Sequence, residues 1–217
     1  MKEPAMEIMG KALDFYEIAG ANEKMEKIAV YSEMLVKNRK WAGLASRSFE
    51  GTMEESMMDS MMVLEGTVSR KSQVADIGSG GGLLGIVLAI ACPMMNVTMV
   101  ESSGRKSAFL AEVSGALALE NVEIANVRAE QMVGNREFDV CVSRASGRLD
   151  EIATLAIRLL AKEGRYVALK SRDIQAEVEK ARPAVEKAGG KITVVKPRMP
   201  AALGMQSRAS LVVVDKL

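Results

Sequence analysis

Histidine is absent from all 217 residues. Its absence removes the commonest general base at neutral pH and the commonest zinc ligand, so neither a Ser-His-Asp hydrolase nor a zinc enzyme is expected. Cysteine is nearly absent. Cys92 and Cys141 stand far apart and outside metal-ligand spacing, which predicts reduced, packed thiols and no disulfide. No apolar run approaches the roughly 20 residues that a membrane span needs, and no charged-then-apolar leader opens the chain. The expectation is therefore a soluble, cytoplasmic protein with no membrane partner and no metal. Excess charge of one sign is also missing, with 29 Lys and Arg against 28 Asp and Glu for a net charge of +1. No global basic field advertises nucleic acid, so any such surface has to be local.

The length suits one α/β domain with a sizeable core plus an N-terminal extension, divided as residues 1–65 and 66–217. Residues 3–37 alternate charged and apolar positions at helical spacing, and Ile28, Tyr31, Leu35 and Trp41 can share one face. Lys37, Asn38, Arg39, Lys40 and Arg47 form a local basic patch beside Trp41, before Glu50, Glu54, Glu55 and Asp59 reverse the sign. Such a patch is either a solvated helix end or a contact for phosphates. Methionine is plentiful, and Met53, Met57, Met58, Met61 and Met62 read as an adaptable helical packing face.

From Gln73 onward, apolar runs of strand length alternate with helical stretches, the signature of βαβ units and a parallel sheet. The pattern predicts strands at 73–77, 96–101, 122–127, 138–143, 164–170, 191–197 and 209–215. Helices are expected at about 82–91, 104–119, 149–161 and 173–188, the last two opening near Asp150 and Asp173 as capping candidates. Pro183 falls inside the last of these and is expected to kink it or start a new turn.

The stretch Val74-Ala75-Asp76-Ile77-Gly78-Ser79-Gly80-Gly81-Gly82-Leu83-Leu84-Gly85 carries most of the chemistry. It sets an acid at the end of an apolar strand and crowds glycines into the turn before a helix, where a backbone can approach a nucleotide-like cofactor closely. Two cofactor classes fit. As Gly80-x-Gly82-x-x-Gly85 it matches a dinucleotide fingerprint, with Glu101 on the next strand placed to hold a ribose. As Asp76-x-Gly78-x-Gly80-x-Gly82 it suits S-adenosylmethionine (SAM), whose sulfonium and ammonium favour a nearby acid that a diphosphate would not. Ligands of open α/β sheets bind beyond the carboxyl ends of the strands. There the sequence offers Asp76, Glu101, Ala129-Glu130, Ser143-Arg144-Ala145 and Lys170.

These motifs together resemble those of the bacterial 16S ribosomal RNA guanine-N7 methyltransferases, also called the glucose-inhibited division protein B family. The resemblance rests on the Asp76 to Gly82 turn, Val100-Glu101-Ser102 followed by Arg105-Lys106 and Phe109-Leu110, and Arg128-Ala129-Glu130. It continues through Phe138-Asp139, Ser143-Arg144-Ala145, Gly164-Arg165-Tyr166, Ala168-Leu169-Lys170, Arg208, Leu211-Val212-Val213 and Lys216, and covers residues 28–217. Asp59-Ser60 extends it upstream, where the family has His-x-x-Asp-Ser and this chain has Ser56 for the histidine. Other departures are Gly43-Leu44-Ala45 for Asn-Leu-Thr, Leu84 for a proline before Gly85, and Ser171 for a glycine after Lys170.

The resemblance implies a class I SAM-dependent methyltransferase fold, Rossmann-like, with a mostly parallel seven-stranded sheet, a reversed last strand and N-terminal helices. It implies S-adenosyl-L-methionine as cofactor and N7 of a guanine in the decoding-region loop of 16S ribosomal RNA, free or in the small ribosomal subunit, as substrate. Asp76, Gly78, Ser79, Gly80, Gly82, Glu101, Ser102, Ala129, Glu130 and Arg144 would line the cofactor site, with Glu101 on the ribose hydroxyls and Ala129-Glu130 beside the adenine. Arg144 would also be the catalytic residue facing the target base or its phosphate. Arg128, Lys170 and Arg208 would bind RNA, with Arg172 a surface residue. Three other outcomes stay open: a SAM-dependent enzyme for another substrate, a noncatalytic RNA-binding relative, and a nicotinamide-dependent oxidoreductase. The oligomeric state is not implied.

Overall fold

The computed structural model describes residues 3–38, 49–67, 69–144, 147–170, 174–202 and 209–217. Arg39, Lys40, Trp41, Gly43 to Ala45, Arg47, Ala145, Ser171, Arg172, Asp173 and Arg208 lie outside the described residues, as do the side chains of Glu50, Met53, Glu54 and Glu55. The strands are β1 Gln73–Ile77, β2 Asn96–Val100, β3 Val122–Ala125, β4 Phe138–Arg144, β5 Leu160–Lys170, β6 Gly190–Val195 and β7 Ser210–Lys216. They form one seven-stranded sheet in the order β3-β2-β1-β4-β5-β7-β6. β1 to β5 pair in parallel, whereas β7 runs antiparallel to both β5 and β6. This is the reversed last strand of a class I methyltransferase fold.

The helices are α1 Glu3–Phe15, α2 Ala21–Lys37, α3 Phe49–Met62, α4 Gly85–Ala91, α5 Gly104–Ala116, α6 Leu149–Leu159, α7 Gln175–Lys187 and α8 Met199–Ala202. Among the described residues no helix is long and apolar enough to cross a membrane. Burial on both faces explains why the central strands read as near-continuous apolar runs: Val140, Cys141, Val142, Val167, Ala168, Val212 and Val214 are all fully buried. One face packs against α1 to α4, and Leu13, Ile28, Tyr31, Leu35, Met57, Met61 and Met62 join Val97, Val140 and Val167 in one core cluster. The described methionines of that face, Met57, Met58, Met61 and Met62, are thus internal packing. The other face carries α6 and α7, with Leu149, Ala153, Val178 and Val185 against Ala75, Cys141 and Tyr166. Cys92 and Cys141 are free and buried, and burial pushes both thiols up from their ordinary pKa.

Three expectations at element ends needed tertiary information. α6 ends at Leu159, and β5 starts at Leu160 rather than 164, because Leu160 pairs with Phe138 ahead of a register shift. Asp150 does not cap α6: Arg148 takes the cap position without a side-chain bond, Asp150 pairs with Arg148, and Glu177 of α7 accepts the Leu149 amide at 3.2 Å. α7 runs through Pro183 as one helical element.

At the sheet centre, the hydroxyls of Ser143 and Tyr166 lie 2.7 Å apart, both almost fully buried. Removing one partner leaves the other's hydroxyl without a bond in a dry site. Tyr166→Phe should therefore cost about 1–2 kcal/mol of stability. Adding Ser143→Ala should recover part of that loss, as read from urea unfolding curves; equal or greater loss in the double variant would refute the pairing.

Candidate cofactor and substrate site

The chain leaves β1 at Ile77 and must reach α4 at Gly85 within a tight turn, which it does with left-handed φ at Gly78, Gly80 and Gly82. At Gly82 the requirement is also steric. A Cβ there would lie 2.7 Å from Ile86, 2.8 Å from Leu110 and 3.3 Å from the Tyr31 hydroxyl. At Gly85 a Cβ would lie 2.8 Å from the Asp76 carboxylate. A Cβ on Gly80, by contrast, would meet only the Gly78 carbonyl at 3.9 Å, so this glycine faces open space. The turn is therefore pressed on one side by protein and clear on the other.

Its peptide groups are held one by one. The amides of Gly78 and Ser79 donate to the Val100 carbonyl at 2.9 and 3.2 Å, which ties the turn to the end of β2. The Gly80 amide donates to Glu101 Oε2 at 2.9 Å, while the Ser103 amide donates to Glu101 Oε1 at 2.8 Å. Glu101 is only 7% exposed. Each carboxylate oxygen still has acceptor capacity beyond the amide it already holds. The main chain of Glu101 is fixed in turn, its carbonyl accepting from Ser107 at 3.0 Å and Asn126 at 2.8 Å.

Asp76 lies below the turn, 1% exposed, and its Oδ2 accepts the Gly85 amide at 3.1 Å. Ser79 returns a bond to the Asp76 carbonyl at 2.9 Å. Burial raises the Asp76 pKa to about 7, and the Glu101 charge adds to it, although bonds from Ser79 and Gly85 oppose the rise. The sequence alone leaves the direction of this carboxylate undetermined; the structure aims it at the peptide that starts α4.

Arg144, at the end of β4, reaches α3. Its guanidinium donates to the Ser56 carbonyl at 2.7 Å and the Ser56 hydroxyl at 2.5 Å, near the Asp59 charge. Burial lowers its pKa and Asp59 opposes that fall. Ser56 thus meets the β4 arginine through both its carbonyl and its hydroxyl.

The parallel strands place the remaining candidates along one edge, because β1 to β5 all end on the same side of the sheet. In spatial order that edge carries Ala129-Glu130 after β3, Glu101 after β2, Asp76 on β1, Arg144 on β4 and Lys170 on β5. The switch in strand order falls between β1 and β4, where open α/β sheets bind ligands. Ala129 is buried at the start of a 3-10 turn, Ala129–Met132, whereas Ser102, Arg128 and Glu130 are exposed. Lys170 is held at 2.8 Å by Glu177, the residue that also caps α6. Arg208 lies outside the described residues.

Sequence reasoning missed two contributors. Tyr31 donates to the Gly81 carbonyl at 2.8 Å, and Ser60 donates to the Leu83 carbonyl at 2.7 Å. Tyr31 had looked like one apolar position on a helix face, and Ser60 like part of a motif without a role. A hydroxyl inside an otherwise apolar helical stripe was the available signal.

Deleting the Asp76 charge provides a test of its burial. A folded pKa near 7 against an ordinary 3.8 means that the native state holds a proton which the unfolded chain has released between these values. This group's contribution is thus fully present below about pH 4 and lost as pH rises towards 7. Asp76→Asn should gain on wild type across that window, by on the order of a few kcal/mol, in urea titrations at about pH 4.5 and 8. A wild-type-to-variant difference that stays constant with pH would refute the buried, neutralised carboxyl.

Comparison with known proteins identifies the family. The family model for rRNA small subunit methyltransferase G (GidB) matches residues 24–200. The ribosomal RNA small subunit methyltransferase G of Pseudarthrobacter chlorophenolicus is 43% identical over 133 residues, covering 61% of this chain and 62% of that protein. The chain thus matches somewhat under two thirds of the length of such relatives. The protein of the same name from Corynebacterium glutamicum strain ATCC 13032 is 35% identical over 178 residues, covering 80% of this chain and 78% of its own. Among solved structures, a mutant of MtNAS in complex with S-adenosylmethionine shares the fold, with a TM-score of 0.59 at 22% identity over 94% of this chain and 75% of that one. With the family model spanning most of its length and the sheet order and glycine turn in place, this chain belongs to the rRNA small subunit methyltransferase G family.

Proposed function

We propose that the protein transfers a methyl group from SAM to N7 of a guanine in 16S ribosomal RNA, in the cytoplasm. The observation that carries this reading is the disposition of the Gly78–Gly85 turn. The carbonyls of Ser79, Gly81, Gly82, Leu83 and Leu84 all accept hydrogen bonds, whereas those of Gly78 and Gly80 have no such partner among the described residues. Two open carbonyls and two buried carboxylates, Asp76 and Glu101, make a turn that receives a cation. They fit the ammonium and sulfonium of SAM and oppose a diphosphate, which disfavours the nicotinamide reading.

Within this scheme the Gly78 and Gly80 carbonyls accept from the ammonium group, and the spare acceptor capacity of Glu101 receives the ribose hydroxyls. Ala129 offers an apolar surface beside the adenine, with Ser102 and Glu130 at its exposed rim. Asp76 supports the turn from beneath, and a cation bound at the turn would favour the charged form of its carboxyl. When bound, SAM supplies an electrophilic methyl on a sulfonium.

The nucleophile needs no deprotonation, since guanine N7 carries a lone pair and no proton. A chain without histidine is therefore adequate for this chemistry. The protein's work is alignment, and well-oriented reactants can gain on the order of 7–11 kcal/mol in this way. Arg144 orients the base or its phosphate, its guanidinium held in place by Ser56. Arg128, Lys170 and Arg208 position RNA phosphates, which set register without encoding sequence.

Two measurements test this. Tritium from labelled SAM should appear on guanine N7 when small-subunit particles, or naked 16S RNA lacking the modification, are the acceptor. Bound SAM with no label in RNA would point to another acceptor. In titration calorimetry, Glu101→Ala should weaken SAM binding by about tenfold or more, from loss of charged hydrogen bonds. Arg144→Ala should keep SAM affinity within about threefold while transfer falls by about 10²–10³. Wild-type affinity in Glu101→Ala would remove Glu101 from the cofactor site.

A further inference from the structure

The N-terminal helices do more than cover the sheet. Tyr31 on α2 and Ser60 on α3 are both fully buried, and each sends its hydroxyl to a carbonyl of the glycine turn. Burial raises the Tyr31 pKa well above its ordinary value, so the phenol stays protonated and remains a donor at any physiological pH.

Ser60 has one proton and two acceptors at 2.7 Å, the Ser56 carbonyl one helical turn back and the Leu83 carbonyl. The Ser56 carbonyl also receives the Arg144 guanidinium at 2.7 Å. Leu83 has Ser60 as its only donor among the described residues, so satisfying both carbonyls directs the Ser60 proton to the turn. Gly82, between the two anchored peptides, is hemmed in by the Tyr31 hydroxyl and Leu110. Rotating either anchored peptide would leave a carbonyl without a partner in a dry interior.

We propose that Tyr31 and Ser60 are positioning residues of the cofactor site: by fixing the Gly81 and Leu83 carbonyls toward the helical extension, they keep the Gly78 and Gly80 carbonyls turned to the cofactor. This rests on the reading of the turn as the SAM site given above. Successive peptides of a tight turn are coupled through shared φ and ψ, so an anchor on one side sets the direction of the carbonyls on the other. The extension is by this account a working part of the cofactor site, acting through backbone it never shares with the ligand.

The test uses the full chain and titration calorimetry with SAM, together with steady-state methyl transfer to 16S RNA. Tyr31→Phe and Ser60→Ala should each weaken SAM binding by about five- to twentyfold, as expected for one buried hydrogen bond. KM for SAM should rise by a similar factor, with kcat at saturating SAM within about threefold of wild type. Ser60→Thr, which keeps the hydroxyl, should bind within about threefold of wild type. Either variant binding SAM like wild type overturns the role of that residue. Equal loss in Ser60→Thr and Ser60→Ala assigns the effect to packing and also overturns it. Should wild type itself fail to bind SAM, the SAM reading of the turn falls, and this inference with it.

Discussion

The structure is organised around one constraint, the disposal of peptide groups in a turn that is buried on one side. Between Ile77 and Gly85 the chain reverses from strand to helix within seven residues, too few for regular structure to satisfy its own amides and carbonyls. Each group that faces protein needs a partner, since an unpaired peptide group in the interior costs free energy comparable to a lost hydrogen bond. β2 and the residue after it supply the Val100 carbonyl and the Glu101 carboxylate, β1 supplies Asp76, and the helical extension supplies Tyr31 and Ser60. The carbonyls of Gly78 and Gly80 are left with no donor among the described residues.

That arrangement explains the charged groups as well. Burial raises the Asp76 pKa, and the Glu101 charge beside it adds to the rise. On the function proposed above, a cationic ligand at the turn would offset that added charge effect. Arg144 shows the same economy, since the bonds that hold its guanidinium also engage the Ser56 carbonyl of α3 and free Ser60 for the turn. Glycine turn, arginine and extension form one hydrogen-bonded assembly.

Much of this was readable in advance, though unevenly. The strands of the sheet were legible because burial on both faces demands continuous apolar runs, and residues such as Val140 to Val142 or Val212 to Val214 leave no other element to suit them. Their outer ends were less legible. The start of β5 depends on pairing with Phe138, and the cap of α6 comes from Glu177, a helix away. Neither partner is visible in a local window. Lys170 illustrates the same limit at the site, since its place at a strand end was evident but its ion pair with Glu177 was not.

The sequence by itself determined the class of sheet, the glycine turn, and the residues at the strand ends, because periodicity and backbone permissiveness are local properties written in residue order. The absence of histidine likewise bounded the chemistry before any fold was known. Only the tertiary structure decided where Asp76 points, that Ser56 meets Arg144, and that Tyr31 and Ser60 serve the turn. The contacts of Arg144, Tyr31 and Ser60 join residues between 23 and 88 positions apart. At such separations the direction of a side chain is set by how helices pack on the sheet, which no stretch of sequence states alone.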